Sequence, residues 1–209
     1  MTQDLQLQVQ SIACERGGRW LFEDVSFTVQ AGQALYVQGN NGSGKTTMLR
    51  MLCGLTPCIK GDIEWRGQSI SKNKNLLNVD LLYWGHSLAF KDELTLLENL
   101  QMDMAVTGSE VESAQVQLAL NHQGLINKHH LAMKFLSQGQ KRRVALARLQ
   151  LSRTRLWILD EPFVALDQQS IDSLRSLFAA HLAKGGLLIF TSHQPIELDV
   201  ELKHFRLGL

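Results

Sequence analysis

Short apolar runs open the chain, and their pattern predicts extended structure. These runs are Leu5 to Ala13, Leu21 to Val29 and Ala34 to Gly39. In the second run apolar residues alternate with polar ones, as in a strand with one buried face. Ala31-Gly32 supplies a turn before the third run, which leads directly into a glycine-rich loop. We therefore predict three strands followed by a loop.

Helical and extended patterns alternate along the rest of the chain. The spacing predicts helices at about Lys45 to Cys53 and Gln168 to Ala183, and further strands at Gly61 to Trp65, Leu81 to Trp84, Leu156 to Leu159 and Leu187 to Thr191. Between about 87 and 151 the apolar residues recur mostly at helical spacing. Strands that alternate with helices are typical of a parallel sheet flanked by helices. The pattern therefore predicts an α/β fold interrupted by a helical insert.

Length, charge and hydropathy exclude several classes of protein. A chain of 209 residues, 44% of them hydrophobic, can bury one sizeable core, so a single domain is expected. Its 21 basic residues nearly balance 20 acidic ones without a run of like charge, so we expect no nucleic-acid partner. No apolar run approaches the ~20 residues that span a bilayer, and no signal-peptide pattern opens the chain. We therefore expect it to stay in the cytosol.

The loop after the third strand carries a phosphate-binding pattern. Residues Gly39, Asn40, Asn41, Gly42, Ser43, Gly44, Lys45 and Thr46, followed by Thr47, match G-x-x-x-x-G-K-[ST]. Its glycines let backbone N–H groups close around phosphates, and the dipole of the following helix favours their negative charge. Lys45 would reach the β- and γ-phosphates of ATP, and Thr46 would ligate Mg²⁺. The strand before the loop and the helix after it disfavour a plain glycine turn.

Two adjacent carboxylates end the apolar strand Leu156 to Leu159. Asp160 and Glu161 would lie at the carboxyl end of a buried strand, where ligands collect in parallel α/β sheets. Asp160 would hold the magnesium, directly or through water. Adjacent strand residues point to opposite faces, so Glu161 could position or deprotonate the attacking water. Such a pair alone would more often begin a helix, but the phosphate loop upstream favours a role in catalysis and metal binding.

A second candidate anion site lies late in the helical insert. Leu136-Ser137-Gln138-Gly139-Gln140 offers a serine hydroxyl, a glycine and a helix N-terminus. By itself Ser137 is most simply a helix cap. Its place between the phosphate loop and the paired carboxylates favours a functional interpretation.

The order of these motifs resembles the nucleotide-binding subunits of ABC transporters over nearly the whole chain. The motifs are the phosphate loop, L-S-x-G-Q, the strand ending in Asp-Glu-Pro, Ala165-Leu166-Asp167 and Thr191-Ser192-His193. The resemblance implies a P-loop NTPase core with an antiparallel β subdomain, formed by about 1–86 and 154–209, and a helical insert of about 87–153. It also implies a homodimer in which Ser137, Gly139 and Gln140 of one copy cover the γ-phosphate held by the other.

Three residues gain a role from this resemblance. Glu161 corresponds to the catalytic carboxylate, His193 to the switch histidine that contacts the γ-phosphate, and Asp167 to an aspartate at the dimer interface. Lys45, Glu161 and His193 would then form the catalytic set, with ATP and Mg²⁺ as its cofactors. Taken alone, His193 would be a solvated loop histidine, but its position after an apolar strand favours function.

Three positions depart from the family pattern. His86 replaces the glutamine that senses magnesium, and a neutral imidazole can accept a hydrogen bond from a metal-bound water. Arg16 replaces the aromatic residue that stacks on adenine, with Trp20 as the alternative platform. Gln138 replaces the first glycine of L-S-G-G-Q, which adds bulk at the dimer seam.

A narrower resemblance points to the haem-exporter ATP-binding proteins of cytochrome c maturation. It rests on the short length and on segments such as Leu82 to His86, Leu94 to Leu100, Arg142 to Leu149 and His193-Gln194-Pro195. It implies a peripheral subunit on the cytoplasmic face of the bacterial inner membrane, bound to integral membrane subunits of a haem-export complex. ATP hydrolysis would drive haem export or release of a haem-loaded chaperone. An ABC ATPase for another cargo, or a soluble ABC mechanical switch, stays open as an alternative.

Overall fold

The strands of the computed structural model, which describes residues 5–192, 198 and 200–208, form two sheets. The antiparallel sheet contains β1 (Gln6–Arg16), β2 (Arg19–Gln30), β4 (Lys60–Trp65) and β5 (Gln68–Ser69), in the order β2-β1-β4-β5. The parallel sheet contains β3 (Ala34–Gln38), β6 (Leu81–Trp84), β7 (Leu156–Leu159), β8 (Leu187–Thr191) and β9 (Leu202–Arg206), in the order β6-β7-β8-β3-β9. Because β8 pairs with both β3 and β7, the residues that follow these three strands meet at one edge.

Six helices pack around the sheets in the described part of the chain. They are α1 (Lys45–Leu52), α2 (Lys74–Asn78), α3 (Leu96–Val106), α4 (Ser113–His122), α5 (Gln138–Leu151) and α6 (Gln168–Ala183). Between β6 and β7 the chain builds α3, α4 and α5, which share a buried apolar cluster including Leu100, Leu120 and Val144. The helical insert thus has a core of its own, and its exact boundaries stay a prediction.

Alternate residues of the central parallel strands enter two different cores. Leu35 and Val37 of β3 pack in the cluster that holds α1 and the antiparallel sheet. Ala34 and Tyr36 pack in the cluster that holds α5 and α6. Both faces of these strands are buried, which is why their sequences are continuously apolar. The layering places α1 on one face of the parallel sheet, and α5 and α6 on the other.

The predicted α/β class, with an antiparallel sheet and a helical insert, is confirmed. The sequence pattern missed β5, α2 and β9. The edge strand β9 carries Lys203, His204 and Arg206, and such charged residues are tolerated at a sheet edge but hide the apolar pattern. Strand β1 extends past the predicted run because register shifts interrupt its alternation. No helix in the described ranges is long and apolar enough to cross a membrane.

Candidate nucleotide site

The glycine-rich loop runs from the end of β3 into α1, and close contacts require two of its glycines. A Cβ on Gly39 would lie 2.6 Å from the Ser43 Oγ and 2.7 Å from the Leu207 carbonyl oxygen, so no side chain fits there. Gly44 precedes α1 with a φ of +97°, a left-handed conformation that glycine adopts without penalty. The loop is therefore a tight backbone turn that ends at a helix N-terminus.

Lys45 folds back over this loop. Its side chain is only 7% exposed, and its Nζ donates hydrogen bonds to the carbonyl oxygens of Gly39 at 2.8 Å and Asn40 at 3.1 Å. The Ser43 Oγ is buried and has no hydrogen-bond partner among the described residues. A buried hydroxyl needs a partner, and a phosphate oxygen would supply one. The loop therefore fits an anion, because the Lys45 ammonium group and the buried Ser43 hydroxyl lie beside it.

Asp160 connects the phosphate loop to the end of β8. Its carboxylate is buried and accepts hydrogen bonds from the Thr46 Oγ1 at 2.8 Å and the Thr191 Oγ1 at 2.7 Å. Its backbone N–H donates to the carbonyl oxygen of Trp84 at the end of β6, at 2.7 Å. The side-chain oxygens of Thr46 and Asp160 are hard ligands of the kind that Mg²⁺ prefers. These two side chains would therefore fit a magnesium ion bound together with a nucleotide.

The adjacent Glu161 is held by its backbone. Its φ of +53° lies in the left-handed region, which costs a residue other than glycine roughly 1–2 kcal/mol. Its N–H donates to the Thr191 Oγ1 at 2.9 Å, so one hydroxyl bonds both members of the acidic pair. Thr191 was not predicted as a site residue, although a polar residue ending the apolar strand β8 is a usable signal.

A cleft of about 320 Å³ lies over the loop. It is lined by Arg16, Leu21, Asn41, Gly42, Gly44, Lys45, Thr46, Thr47 and Glu161. Arg16 thus borders the cleft at the end of β1. Trp20, the alternative platform for adenine, is 43% exposed and packs instead under Lys60, whose Nζ lies 4.9 Å from the ring centroid. Leu21 was not predicted, and it adds an apolar surface on which a base could rest.

The L-S-x-G-Q segment lies outside this cleft. Ser137 caps α5: its Oγ accepts from the Gln140 N–H at 3.3 Å, while the Gln140 side chain accepts from the Ser137 N–H at 3.0 Å. A Cβ on Gly139 would meet no described atom within 4 Å, and both Ser137 and Gly139 are exposed. The start of α5 is therefore exposed, and the space beside Gly139 is open.

Asp167 begins α6 and bonds to α5. Its Oδ1 accepts from the Ser170 N–H at 2.9 Å, and its Oδ2 accepts from the Arg143 Nη2 at 2.6 Å. The hydrogen bonds from Ser170, followed by those from Arg143, lower the pKa of Asp167 to about 2. Arg143 was not singled out from the sequence. It connects the segment after β7 to the helix that begins with Ser137.

Of the two predicted histidines, only His86 falls within the described residues. His86 is exposed, two residues beyond β6, and is absent from the described lining of the cleft. His193 lies outside the described residues. Among the residues that the structure places, no cluster of three or more His, Cys, Asp or Glu could hold a metal. Thr46 and Asp160 thus remain the best-placed protein ligands for magnesium.

Related proteins match nearly the whole chain. The family model described as ABC transporter matches residues 22–164. The cytochrome c biogenesis ATP-binding export protein CcmA of Albidiferax ferrireducens is 45% identical over 192 residues, which cover 92% of this chain and 91% of that protein. The protein of the same name from Nitrosococcus oceani is 48% identical over 192 residues, covering 92% and 88%.

Solved structures share the fold. A putative ABC transporter ATP-binding protein from Pyrococcus furiosus has a TM-score of 0.81 and 24% identity, and the match covers 97% of each chain. An ATP-binding cassette solved as a dimer in a post-hydrolysis state, bound to ADP and Pi, has a TM-score of 0.78 and 19% identity, covering 90% of this chain and 88% of that one. At these identities the likeness concerns the fold.

Proposed function

This chain belongs to the ABC transporter family, and within it to the cytochrome c biogenesis ATP-binding export proteins, so we propose that it is the ATP-hydrolysing subunit of a bacterial cytochrome c maturation complex. One observation carries the ATPase assignment. The Thr46 hydroxyl, the Asp160 carboxylate, the Thr191 hydroxyl and the Glu161 N–H form a continuous hydrogen-bonded chain. That chain joins the phosphate loop to the backbone of Glu161, whose carboxylate would act in hydrolysis.

The glycine-rich loop and Lys45 would bind the phosphates. The amine of Lys45 would exchange the carbonyl oxygens of Gly39 and Asn40 for the β- and γ-phosphates, and charge-assisted hydrogen bonds to phosphate are stronger than those to neutral carbonyls. Thr46 and Asp160 would hold Mg²⁺, which neutralises charge on the phosphate oxygens. Arg16 and Leu21 also line the cleft, and they would contact the adenine.

Hydrolysis depends on where Glu161 presents its carboxylate. The residue lines the cleft, and its backbone is fixed by Thr191 at the end of β8. A carboxylate held there can accept a proton from a water molecule aligned for in-line attack on the γ-phosphate. His193, which follows Thr191 by two residues, keeps its predicted role as the switch histidine that contacts the γ-phosphate.

We also assign a head-to-tail homodimer to the working unit. The cleft has no lining residue from the described L-S-x-G-Q segment, and Ser137 and Gly139 face outward. A second copy could therefore place its Ser137, Gly139 and Gln140 over the γ-phosphate. ATP would favour the closed dimer because it contacts both copies only in that state. Asp167, at the start of α6, would lie at the same seam.

The membrane partner would dock on the segment from His86 to Leu100, at the cytoplasmic face of the inner membrane. The buried Asn99 shapes this segment, because its amide donates to the carbonyl oxygens of Lys91, Leu94 and Thr95 at 2.9 to 3.1 Å. Its exposed Lys91 can be reversed to glutamate without breaking a described ion pair. We expect this variant to weaken recovery of membrane subunits while ATP binding is retained. Undiminished recovery would contradict docking at this surface.

Affinity purification from a bacterial membrane tests the function directly. A tagged chain carrying Glu161→Gln would bind ATP without hydrolysing it, so ATP should trap a closed dimer with its membrane subunits, identified by mass spectrometry. A matched chain carrying Lys45→Ala as well should show no ATP-dependent dimer. Recovery of cytochrome c maturation subunits supports the proposal. Recovery of an unrelated permease would leave the ATPase assignment intact and contradict the role in cytochrome c maturation. Wild-type turnover by Glu161→Gln would contradict the catalytic role of that carboxylate.

A further inference from the structure

Another cavity, of about 250 Å³, lies at the amino ends of β7 and β8. It is lined by Ser152, Arg153, Thr154, Arg155, His181, Lys184 and Gly186. Arg155 precedes β7 and Gly186 precedes β8, whereas Asp160 and Thr191 lie at the carboxyl ends of the same strands. Even the four residues of β7 span roughly 13 Å, and the described linings of the two cavities share no residue. This cavity is therefore separate from the cleft over the phosphate loop.

The charge around this cavity has one sign. Arg153, Arg155 and Lys184 are cations, and the described lining contains no acidic residue. None of these three side chains forms an ion pair with a carboxylate in the part of the chain that the structure describes. The Arg155 Nη1 donates to the Lys184 carbonyl oxygen at 3.5 Å, so these two residues lie side by side. Three like charges around one cavity repel each other, and a bound anion would relieve that repulsion.

Helix dipoles offset only part of this positive charge. Helix α5 ends at Leu151 and α6 ends at Ala183, so the three cations follow two helix C-termini. Cations are common there, because each C-terminus is equivalent to roughly −0.5 elementary charge. Two such ends together offset roughly one of the three positive charges, and roughly two remain. The cavity therefore favours an anion that carries two negative charges.

Hydroxyl groups add hydrogen-bond donors to the same cavity. The Ser152 and Thr154 hydroxyl oxygens lie 2.7 Å apart. Only one of the two hydroxyl hydrogens can lie between them, so the other can donate to an anion. The His181 ring forms a fixed wall, since its Nε2 bonds to the Leu187 carbonyl oxygen at 3.1 Å and the ring stacks on Trp157 at 3.9 Å between centroids. Pockets for whole small molecules measure about 300–1,000 Å³, so this smaller cavity fits a single phosphate group.

We propose that this cavity is a second anion site, in which Arg153, Arg155 and Lys184 bind one doubly charged phosphate group. The inference goes beyond the proposed function and does not depend on it. Guanidinium and ammonium groups form charge-assisted hydrogen bonds with phosphate oxygens, and these are stronger than bonds between neutral groups. A phosphate monoester has the same chemistry as inorganic phosphate, so the group belongs either to a free anion or to a lipid headgroup such as that of phosphatidic acid.

Calorimetric titration with inorganic phosphate tests the site, at an ionic strength held constant with chloride so that screening does not change. The titrations use the full chain carrying Lys45→Ala, which weakens phosphate binding by the glycine-rich loop. We expect phosphate to bind this protein. Adding Arg155→Gln or Lys184→Gln should raise the Kd at least about 10-fold, as the loss of a charge-assisted hydrogen bond does. Lys72→Gln is the matched control, because it removes an exposed cation outside the cavity, and it should change the Kd less than twofold.

Sedimentation with lipid vesicles distinguishes the two sources of the phosphate group. Binding to vesicles that contain phosphatidic acid, lost in Arg155→Gln and absent with phosphatidylcholine alone, would assign the site to a lipid headgroup. Phosphate binding without vesicle binding would assign it to a free anion. The inference is overturned if neither ligand binds the Lys45→Ala protein, or if Arg155→Gln and Lys184→Gln weaken binding no more than Lys72→Gln does. Urea unfolding midpoints equal to that of the Lys72→Gln protein would show that both variants are folded.

Discussion

Replacing Thr191 by valine removes one hydroxyl and keeps the shape of the side chain. Thr191 is fully buried at the end of β8. Its Oγ1 donates to the Asp160 carboxylate at 2.7 Å and accepts from the Glu161 N–H at 2.9 Å. The valine would leave the Glu161 N–H without its acceptor and would remove one of the two described hydroxyl donors to Asp160.

The size of the effect follows from these two bonds. A hydrogen bond to a charged group contributes about 1.5–3 kcal/mol and one between neutral groups about 1 kcal/mol. Asp160 keeps its bond from Thr46, so it is not left without a donor. We therefore expect the free energy of unfolding to fall by about 2–4 kcal/mol. Because the Glu161 backbone would lose its hydrogen bond to Thr191, its carboxylate would be held less precisely, and kcat should fall at least about tenfold.

Urea unfolding and steady-state ATP hydrolysis measure the two effects. Thr191→Ser is the matched control, because it keeps the hydroxyl and loses one buried methyl, worth about 1 kcal/mol. We expect the serine variant to retain most of its turnover and the valine variant to lose it. Equal turnover in the two variants, or a valine variant within about 0.5 kcal/mol of wild type, would refute the role given to the hydroxyl.

Three further predictions concern the loop, the start of α6 and a buried histidine. Gly39→Ala should lower the free energy of unfolding by about 1–3 kcal/mol and weaken ATP binding in calorimetry, since its methyl would lie 2.6 Å from the Ser43 Oγ; an unchanged affinity would contradict this packing. In Arg143→Gln, the pKa of Asp167 measured by NMR should rise from about 2 but stay below 3.8, because the hydrogen bonds at the helix start remain. The stability from this depressed pKa is present above pH 3.8 and is lost as the pH falls through 2. Burial lowers the pKa of His181 to about 4, so its neutral form stabilises the fold above pH 6.5. Up to about 3 kcal/mol of the free energy of unfolding should be lost as the pH falls through 4. An equal loss in His181→Phe would assign the effect to other groups.

The sequence determined the chemistry that depends on residues close together in the chain. The phosphate loop lies within nine consecutive positions, 39–47, and needs only glycine, lysine and threonine between a strand and a helix. Asp160 and Glu161 follow a run of four apolar residues, which predicts their place at a strand end. Ser137 and Gln140 form a helix cap from local spacing alone. Such features need no distant partner, because backbone geometry and periodicity fix them.

Only the tertiary structure decided which distant side chains complete the site. Thr191 is separated from Asp160 by 31 residues and bonds to it only because β7 and β8 are neighbours in the sheet. Arg143 and Asp167 meet because α5 and α6 pack on the same face, 24 residues apart in the chain. Arg16, and not Trp20, lines the cleft. The register of β1 that precedes Arg16 is shifted in several places, and local alternation does not encode such shifts. Contacts between distant segments depend on strand order and layer packing, and the pattern of one segment contains neither.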